Sequence, residues 1–411
     1  MKRCSEFLLL FLLIATSGFQ YFYNNVEWVL LALPVSWLVA SGLHARLFDR
    51  RAFLAISIAL AWESFQLVYF GSLNIPSIIS TAAKLLLAWA VFASLGTRLV
   101  LRYIQFITAF STISLLFYAL MHVEPILRVM LAIAENVSTP LFGVMSDDYK
   151  HNTNIFIFNF HGYEFDPMRN SGPFWEPGAF AIFISISLTF MLMSGRRLLS
   201  FSGLVQMIAL FTTFSTSGYL MLFLVIMVWA ARALDNMSRS ITIVLRCTLI
   251  PLLLVAIYQL VVNVDFLVPK IQEDILLADE TTSSRFGSAL ADIVLIAENP
   301  VIGYGRNMQA QYGTEIFDKE VMHRNNGLTR LIATWGIIGY LYLLFVFIGL
   351  TKLASALNPK KPLSPVLPFL VLLISGFSQT IFQYPFFMGL VILFAAIRPM
   401  TSPRSPIVRP R

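Results

Sequence analysis

RNSGPFWEPG, Arg169 to Gly178, runs without a break into AFAIFISISLTFMLM, Ala179 to Met193. The first part holds a cation, a carboxylate and four helix-breaking glycines and prolines, whereas the second carries no charge at all. A charged, turn-rich segment that ends on an uncharged span marks a membrane boundary. There a polytopic protein can hold an ionic, water-soluble group beside lipid.

The rest of the chain has the same character. It is 57% hydrophobic, 14% aromatic and only 12% charged, about half the charged fraction of ordinary soluble domains. Apolar runs near 26–43, 52–71, 77–96 and 103–122 precede the opening stretch, and runs near 179–194, 199–214, 217–231 and 241–263 follow. Three more lie near 327–350, 364–380 and 382–397, each close to the roughly 20 residues that cross a bilayer. Lys2 and Arg3 precede a further run, Phe7 to Ala15. Its small trailing residues also fit a cleavage site, but a retained first span is the better reading because spans follow directly.

The chain is therefore expected to be an all-α membrane protein, one polytopic domain over 1–411, with about 12 transmembrane helices. Two enlarged outer loops, about 123–178 and 264–326, are expected to contain short amphipathic helices. With the N-terminus cytoplasmic, most of the 29 lysines and arginines fall on the cytoplasmic side, in groups such as Arg46, Arg50 and Arg51 or Lys352, Lys360 and Lys361. That asymmetry places both termini inside. It also accounts for the net charge of +7, so nucleic acid is not an expected partner. Cys4 and Cys247 share no loop and suggest neither a disulfide framework nor a nucleophile.

Glu63 and Lys84 fall inside adjacent spans at matching depth, at roughly 1.5 Å of rise per residue. Either they pair and join two helices, or Lys84 faces an aqueous cavity and helps hold an anion. In the first outer loop, Arg169 can grip a phosphate through two parallel hydrogen bonds; an interfacial snorkelling arginine is the simpler alternative. Glu176, just before Pro177, suits the first turn of a helix or acts as a base. Glu164 and Asp166 have a spacing that can hold a divalent metal, but such pairs are common by chance and a solvated turn is the better reading.

In the second loop, Thr282 or Ser283 can cap a helix that places Phe286, Leu290, Ile293 and Ala297 on one face. Asn299-Pro300 would end it, a Gly303-x-Gly305 turn would follow, and Arg285 in its first turn becomes an anion ligand. Beyond lies His323. If the next helix extends back this far, His323, Asn326, Gly327 and Arg330 share one face. The imidazole could then take a proton from a hydroxyl while Arg330 holds nearby negative charge.

RNSGPFWEPGAFA, SRFGSALADIVLIAENPVIGYG and HRNNGLTRLIATWGIIG, in this order and with this topology, resemble the O-antigen polymerase and O-antigen ligase superfamily of bacterial inner-membrane proteins. The resemblance covers most of the chain in architecture and about fifty residues in motif. It implies inverting, metal-independent glycosyl transfer at the periplasmic face, from an undecaprenyl-pyrophosphate-linked donor to a sugar hydroxyl, with no cofactor. Arg169 and Arg285 match the family's pyrophosphate-binding loop arginines, Lys84 and Arg330 are further candidate pyrophosphate ligands from their own positions, and His323 or Glu176 would be the base. This chain has His323-Arg324-Asn325-Asn326 where the family's histidine usually precedes asparagine directly. Partners implied are the lipid-linked donor and acceptor, membrane lipids, a chain-length regulator and a flippase. A repeat-unit polymerase is the first expectation; a ligase acting on lipid A core and a polysaccharide-precursor transporter or flippase are the alternatives.

Overall fold

The computed structural model describes residues 2–23, 25–71, 74–137, 153–164, 167–234, 285–306 and 325–397. These residues are helical, and among them β-pairing is limited to two isolated bridges, Phe19 with Phe174 and Asn154 with Asn159. The expected span 241–263, the capping residues Thr282 and Ser283, and Cys247 lie outside the described residues.

The helices are α1 (Lys2–Gly18), α2 (Val26–Gly42), α3 (Arg50–Tyr69), α4 (Ile75–Leu95), α5 (Arg98–Met121) and α6 (Glu124–Val137). They continue as α7 (Pro177–Met193), α8 (Phe201–Phe211), α9 (Thr216–Leu234), α10 (Arg285–Glu298), α11 (Gly327–Trp335), α12 (Ile337–Leu357) and α13 (Val366–Ser378). The last, α14 (Pro385–Ala396), is interrupted by a 3₁₀ turn at Leu390–Ile392. Among the described residues α3, α4, α5, α9 and α12 are long and apolar enough to cross a membrane, so the chain is a multi-pass helical membrane protein.

At the centre stands α7, in which every residue from Pro177 to Met193 is buried. A helix that is apolar all round has no face for water and must be surrounded; α5, α8, α9 and α13 enclose it. α1 packs beside α2, α4, α5 and α14, and its Glu6, 1% exposed, takes Arg98 and, at 2.7 Å, Arg102 as partners. On the outer surface of the bundle large apolar side chains such as Leu38, Leu54, Val68 and Leu116 stand exposed, as they would against lipid.

Three expectations need correction. The run 327–350 is not one helix: α11 and α12 meet at Gly336, whose φ is +56°. A Cβ there would stand 2.2 Å from the Val301 carbonyl oxygen, so only glycine allows the two segments to touch. The run 382–397 is likewise broken, with a 3₁₀ turn at Ile381–Gln383 before Pro385 and another inside α14. Finally, the helix carrying Gly327 and Arg330 does not extend back to residue 323. Asn326 is extended, with φ −103° and ψ 112°, and caps α11 by accepting from the backbone N–H groups of Leu328 and Thr329, both at 3.1 Å.

The helix expected before Asn299-Pro300 is present as α10. α10 ends at Glu298, before Asn299-Pro300, and its Phe286, Leu290 and Ile293 are exposed together. Ser288 and Asp292, buried on the other face, accept hydrogen bonds from the Asn325 N–H at 3.1 Å and the Thr329 hydroxyl at 2.7 Å. α10 is thus amphipathic, with its apolar face outward.

Candidate functional site: two cationic cavities

The stretch 169–178 is fixed by its neighbours before it does any chemistry. Asn170, fully buried, donates from its side-chain amide to Ser114 and Thr212, and its Oδ1 accepts from the Gly172 N–H. Asn159 donates to the carbonyls of Phe174 and Trp175 at 2.9 and 3.1 Å. The Gln20 N–H reaches the Pro173 carbonyl at 2.9 Å, and Trp175 stacks on Tyr23 with ring centroids 5.0 Å apart. At Gly162 an added Cβ would lie 1.6 Å from the Arg169 carbonyl oxygen. That close approach, closed by the Arg169 N–H to Gly162 carbonyl bond at 2.9 Å, sets where the arginine begins.

Arg169 is 7% exposed and donates from Nε to the Thr213 carbonyl at 3.0 Å. It is therefore not a snorkelling arginine on the rim. Burial holds its guanidinium below the ordinary arginine range, with Glu176 opposing that shift and Arg285 adding to it. Arginine nevertheless stays protonated in proteins, so this is a buried, permanent positive charge.

Arg169, Glu176 and Arg285 line one cavity of about 210 Å³, together with His161 and the hydroxyl-bearing run Ser215–Ser217. Arg285 donates from Nε to the Ser378 carbonyl at 3.1 Å. Glu176 occupies the N-cap position of α7 and Pro177 its first turn, as expected. The carboxylate does not cap the helix, however; it accepts from the side-chain amide of Gln379.

Lys84 and Arg330 lie elsewhere, in a second cavity of about 210 Å³ that they share with Arg306, Gly327, Thr380 and Gln383. The expected grouping of four pyrophosphate ligands thus separates into two pairs. Between them runs Ser378–Gln383, whose Ser378 and Gln379 hold Arg285 and Glu176 while Thr380 and Gln383 line the second cavity.

Glu63 does not pair with Lys84. Its carboxylate accepts from the Ser77 hydroxyl at 2.6 Å and meets Arg306 at 3.7 Å. Arg306 is delivered by the turn before it, in which the Tyr304 and Gly305 N–H groups donate to the Ala333 and Thr334 carbonyls, both at 2.9 Å. Gln66 of α3 clasps the same junction by donating to the carbonyls of Ile302 and Thr334. Burial pushes the Arg306 guanidinium below its ordinary value, Glu63 counteracts this and Arg330 reinforces it.

His323, the expected base, lies outside the described residues, as do Asp166 and the side chain of Glu164. Sequence reasoning missed Arg306, Gln379 and His161 as lining or positioning residues. Arg306 had a signal, since an arginine directly after a Gly-x-Gly turn is held by that turn. Gln379 had a fainter one, an amide in the short polar break between two apolar runs.

Compared with protein-family models, with curated proteins and with solved structures, the chain finds no match.

Proposed function

We propose that the chain is a bacterial inner-membrane glycosyltransferase that polymerises oligosaccharide repeat units carried on a polyprenyl pyrophosphate. The observation that carries this reading is the first cavity, where two arginines, one of them buried, face a carboxylate at the end of an apolar helix. A sugar hydroxyl attacks the anomeric carbon, its proton passes to a base, and the bond from that carbon to the pyrophosphate oxygen breaks with inversion. Negative charge grows on the departing oxygen, so Arg169 and Arg285 stabilise the transition state more than the bound substrate. Glu176 is the base within the described residues, with His323 its rival. The architecture that goes with this reading has about twelve spans, both termini cytoplasmic and both enlarged loops periplasmic.

The test is deletion of the gene followed by complementation with Arg169→Ala, Arg285→Ala, Glu176→Gln and His323→Ala. A polymerase leaves single repeat units on the cell surface when it fails, and both arginine variants are expected to do so. Long polymer left on the lipid carrier would instead identify a ligase. Normal chains from all four variants at normal protein level would remove the reading.

A further inference from the structure

The cavity of Arg169, Glu176 and Arg285 is also lined by three hydroxyl-bearing residues in a row, Ser215, Thr216 and Ser217, where α9 begins. Two of the three hydroxyls are engaged by the fold. The Ser215 hydroxyl oxygen accepts from the Gly218 N–H at 3.3 Å, as an N-cap does. Ser217 shares one hydrogen bond with Ser215 at 3.2 Å and another with Ser378 at 2.8 Å. The Ser378 carbonyl in turn accepts from Arg285, so the two serines tie the start of α9 to the segment that holds this arginine.

The Thr216 hydroxyl differs from both. Its oxygen is shielded from solvent and has no hydrogen-bond partner, although the residue lines the cavity. Nearby threonines bond back along their own helices: Thr189 donates to the Ser185 carbonyl, Thr212 to Ala209 and Thr213 to Leu210. Thr216 has no such turn behind it, because α8 ends at Phe211 and α9 begins with Thr216 itself. Its place is fixed, since an added Cβ at Gly218 would stand 2.7 Å from the Ala181 Cβ, and the first turn of α9 thus presses on α7 just beyond Glu176. A buried hydroxyl without a partner costs free energy, and a ligand that enters the cavity can supply the missing bond.

The chemistry around the hydroxyl defines that ligand. In the function proposed above, on which this inference rests, the two arginines take the pyrophosphate and Glu176 takes the proton of the attacking hydroxyl. The carbon under attack lies between them, so the sugar ring that bears it shares their cavity, and about 210 Å³ is large enough for one ring. A phosphate offers acceptors that the arginines already serve. A sugar ring brings hydroxyls that both donate and accept, as a threonine hydroxyl does.

We propose that Thr216 is a sugar-recognition residue, whose hydroxyl bonds to a ring hydroxyl of the sugar attached to the pyrophosphate and so determines which sugar the site accepts.

The test uses the full-length protein in nanodiscs, with two readouts: the melting temperature without ligand and the equilibrium binding of lipid-linked units. The probes are a polyprenyl pyrophosphate carrying the strain's own repeat unit, and counterparts whose first sugar lacks one ring hydroxyl in turn. Thr216→Val keeps the shape of the side chain and removes the hydroxyl. Because that hydroxyl bonds nothing in the ligand-free protein, the melting temperature should not fall, whereas Ser217→Ala, which loses two hydrogen bonds, should lower it. Thr216→Val should bind the parent unit about tenfold more weakly, the loss of one hydrogen bond, and Thr216→Ser should stay closer to wild type. Wild type should bind one deoxy counterpart about tenfold more weakly than the parent. Thr216→Val should bind that counterpart and the parent alike, because the two losses describe one contact.

A lower melting temperature for Thr216→Val would show that the hydroxyl already serves the fold, through a fixed water or a neighbour, and would overturn the assignment. Parent binding unchanged by Thr216→Val, or a loss repeated equally on every deoxy counterpart, would overturn it as well. Any of these results in protein that still forms polymer removes this inference and leaves the proposed function standing. Protein that discriminates as expected in binding yet forms no glycosidic bond keeps Thr216 and removes the proposed function. Protein that binds no lipid-linked unit removes both.

Discussion

Gln379, in the break after α13, donates its side-chain amide to the carboxylate of Glu176 at the start of α7. The contact ties the charged end of the central helix to the segment that separates the two cavities. A hydrogen bond to a charged acceptor contributes about 1.5–3 kcal/mol. Gln379→Leu should lower the melting temperature in detergent and slow polymer formation, whereas Gln379→Asn should do less of both. Wild-type stability and activity in Gln379→Leu would show that the contact positions nothing.

Arg169→Lys should introduce an alkaline loss of activity that arginine, which stays protonated, does not cause. An ammonium starts from a lower ordinary pKa than guanidinium, about 10.4, and the burial that depresses Arg169 would depress it further. As pH rises from about 7 to 9 the lysine loses its proton in the folded state before it does so unfolded. Activity therefore falls with pH while stability rises, because the unfolded state then binds more protons. Transfer rates and melting temperatures measured across that interval should move in opposite directions.

Gly336→Ala should damage the fold. The new Cβ meets the Val301 carbonyl oxygen at 2.2 Å and must adopt a φ of +56°. Backbone strain of this kind costs about 1–3 kcal/mol before the clash is counted. The expected outcome is a lower yield of monodisperse protein and a lower melting temperature. A variant as stable as wild type would mean that α11 and α12 do not pack against Val301 in this way.

Glu6→Gln should destabilise α1 against α5. The carboxylate is buried, and it neutralises Arg98, which is 43% exposed, and Arg102, which is 15% exposed. Breaking a fully buried pair costs about 3–5 kcal/mol and an exposed one up to about 1 kcal/mol; with the carboxylate buried and Arg98 half-exposed, the loss should fall between these. Chemical unfolding in detergent reads the loss, and Arg98→Gln should cost less than Arg102→Gln.

Helix positions were legible wherever uncharged runs sit between charges: the spans expected at 26–43, 52–71, 77–96 and 103–122 became α2 to α5 with ends moved by a few residues. Arg169, Glu176 and Arg285 also stood out, because cations and turn residues beside apolar runs are rare. What could not be read was direction around a helix axis. Glu63 and Lys84 have matching depth, yet Glu63 turns to Arg306, more than two hundred residues away in sequence. The break at Gly336 was hidden for a similar reason, since its φ makes sense only once Val301 and Gly303 lie against it.

The strip from Ser378 to Gln383 serves both cavities, with Arg285 and Glu176 bonded to its start and Lys84 and Arg330 sharing the second cavity with Thr380 and Gln383. It has few helical hydrogen bonds to absorb a push. Gln379, which bonds Glu176, and Thr380, which lines the second cavity, are consecutive residues. The two chambers are rooms with a common wall.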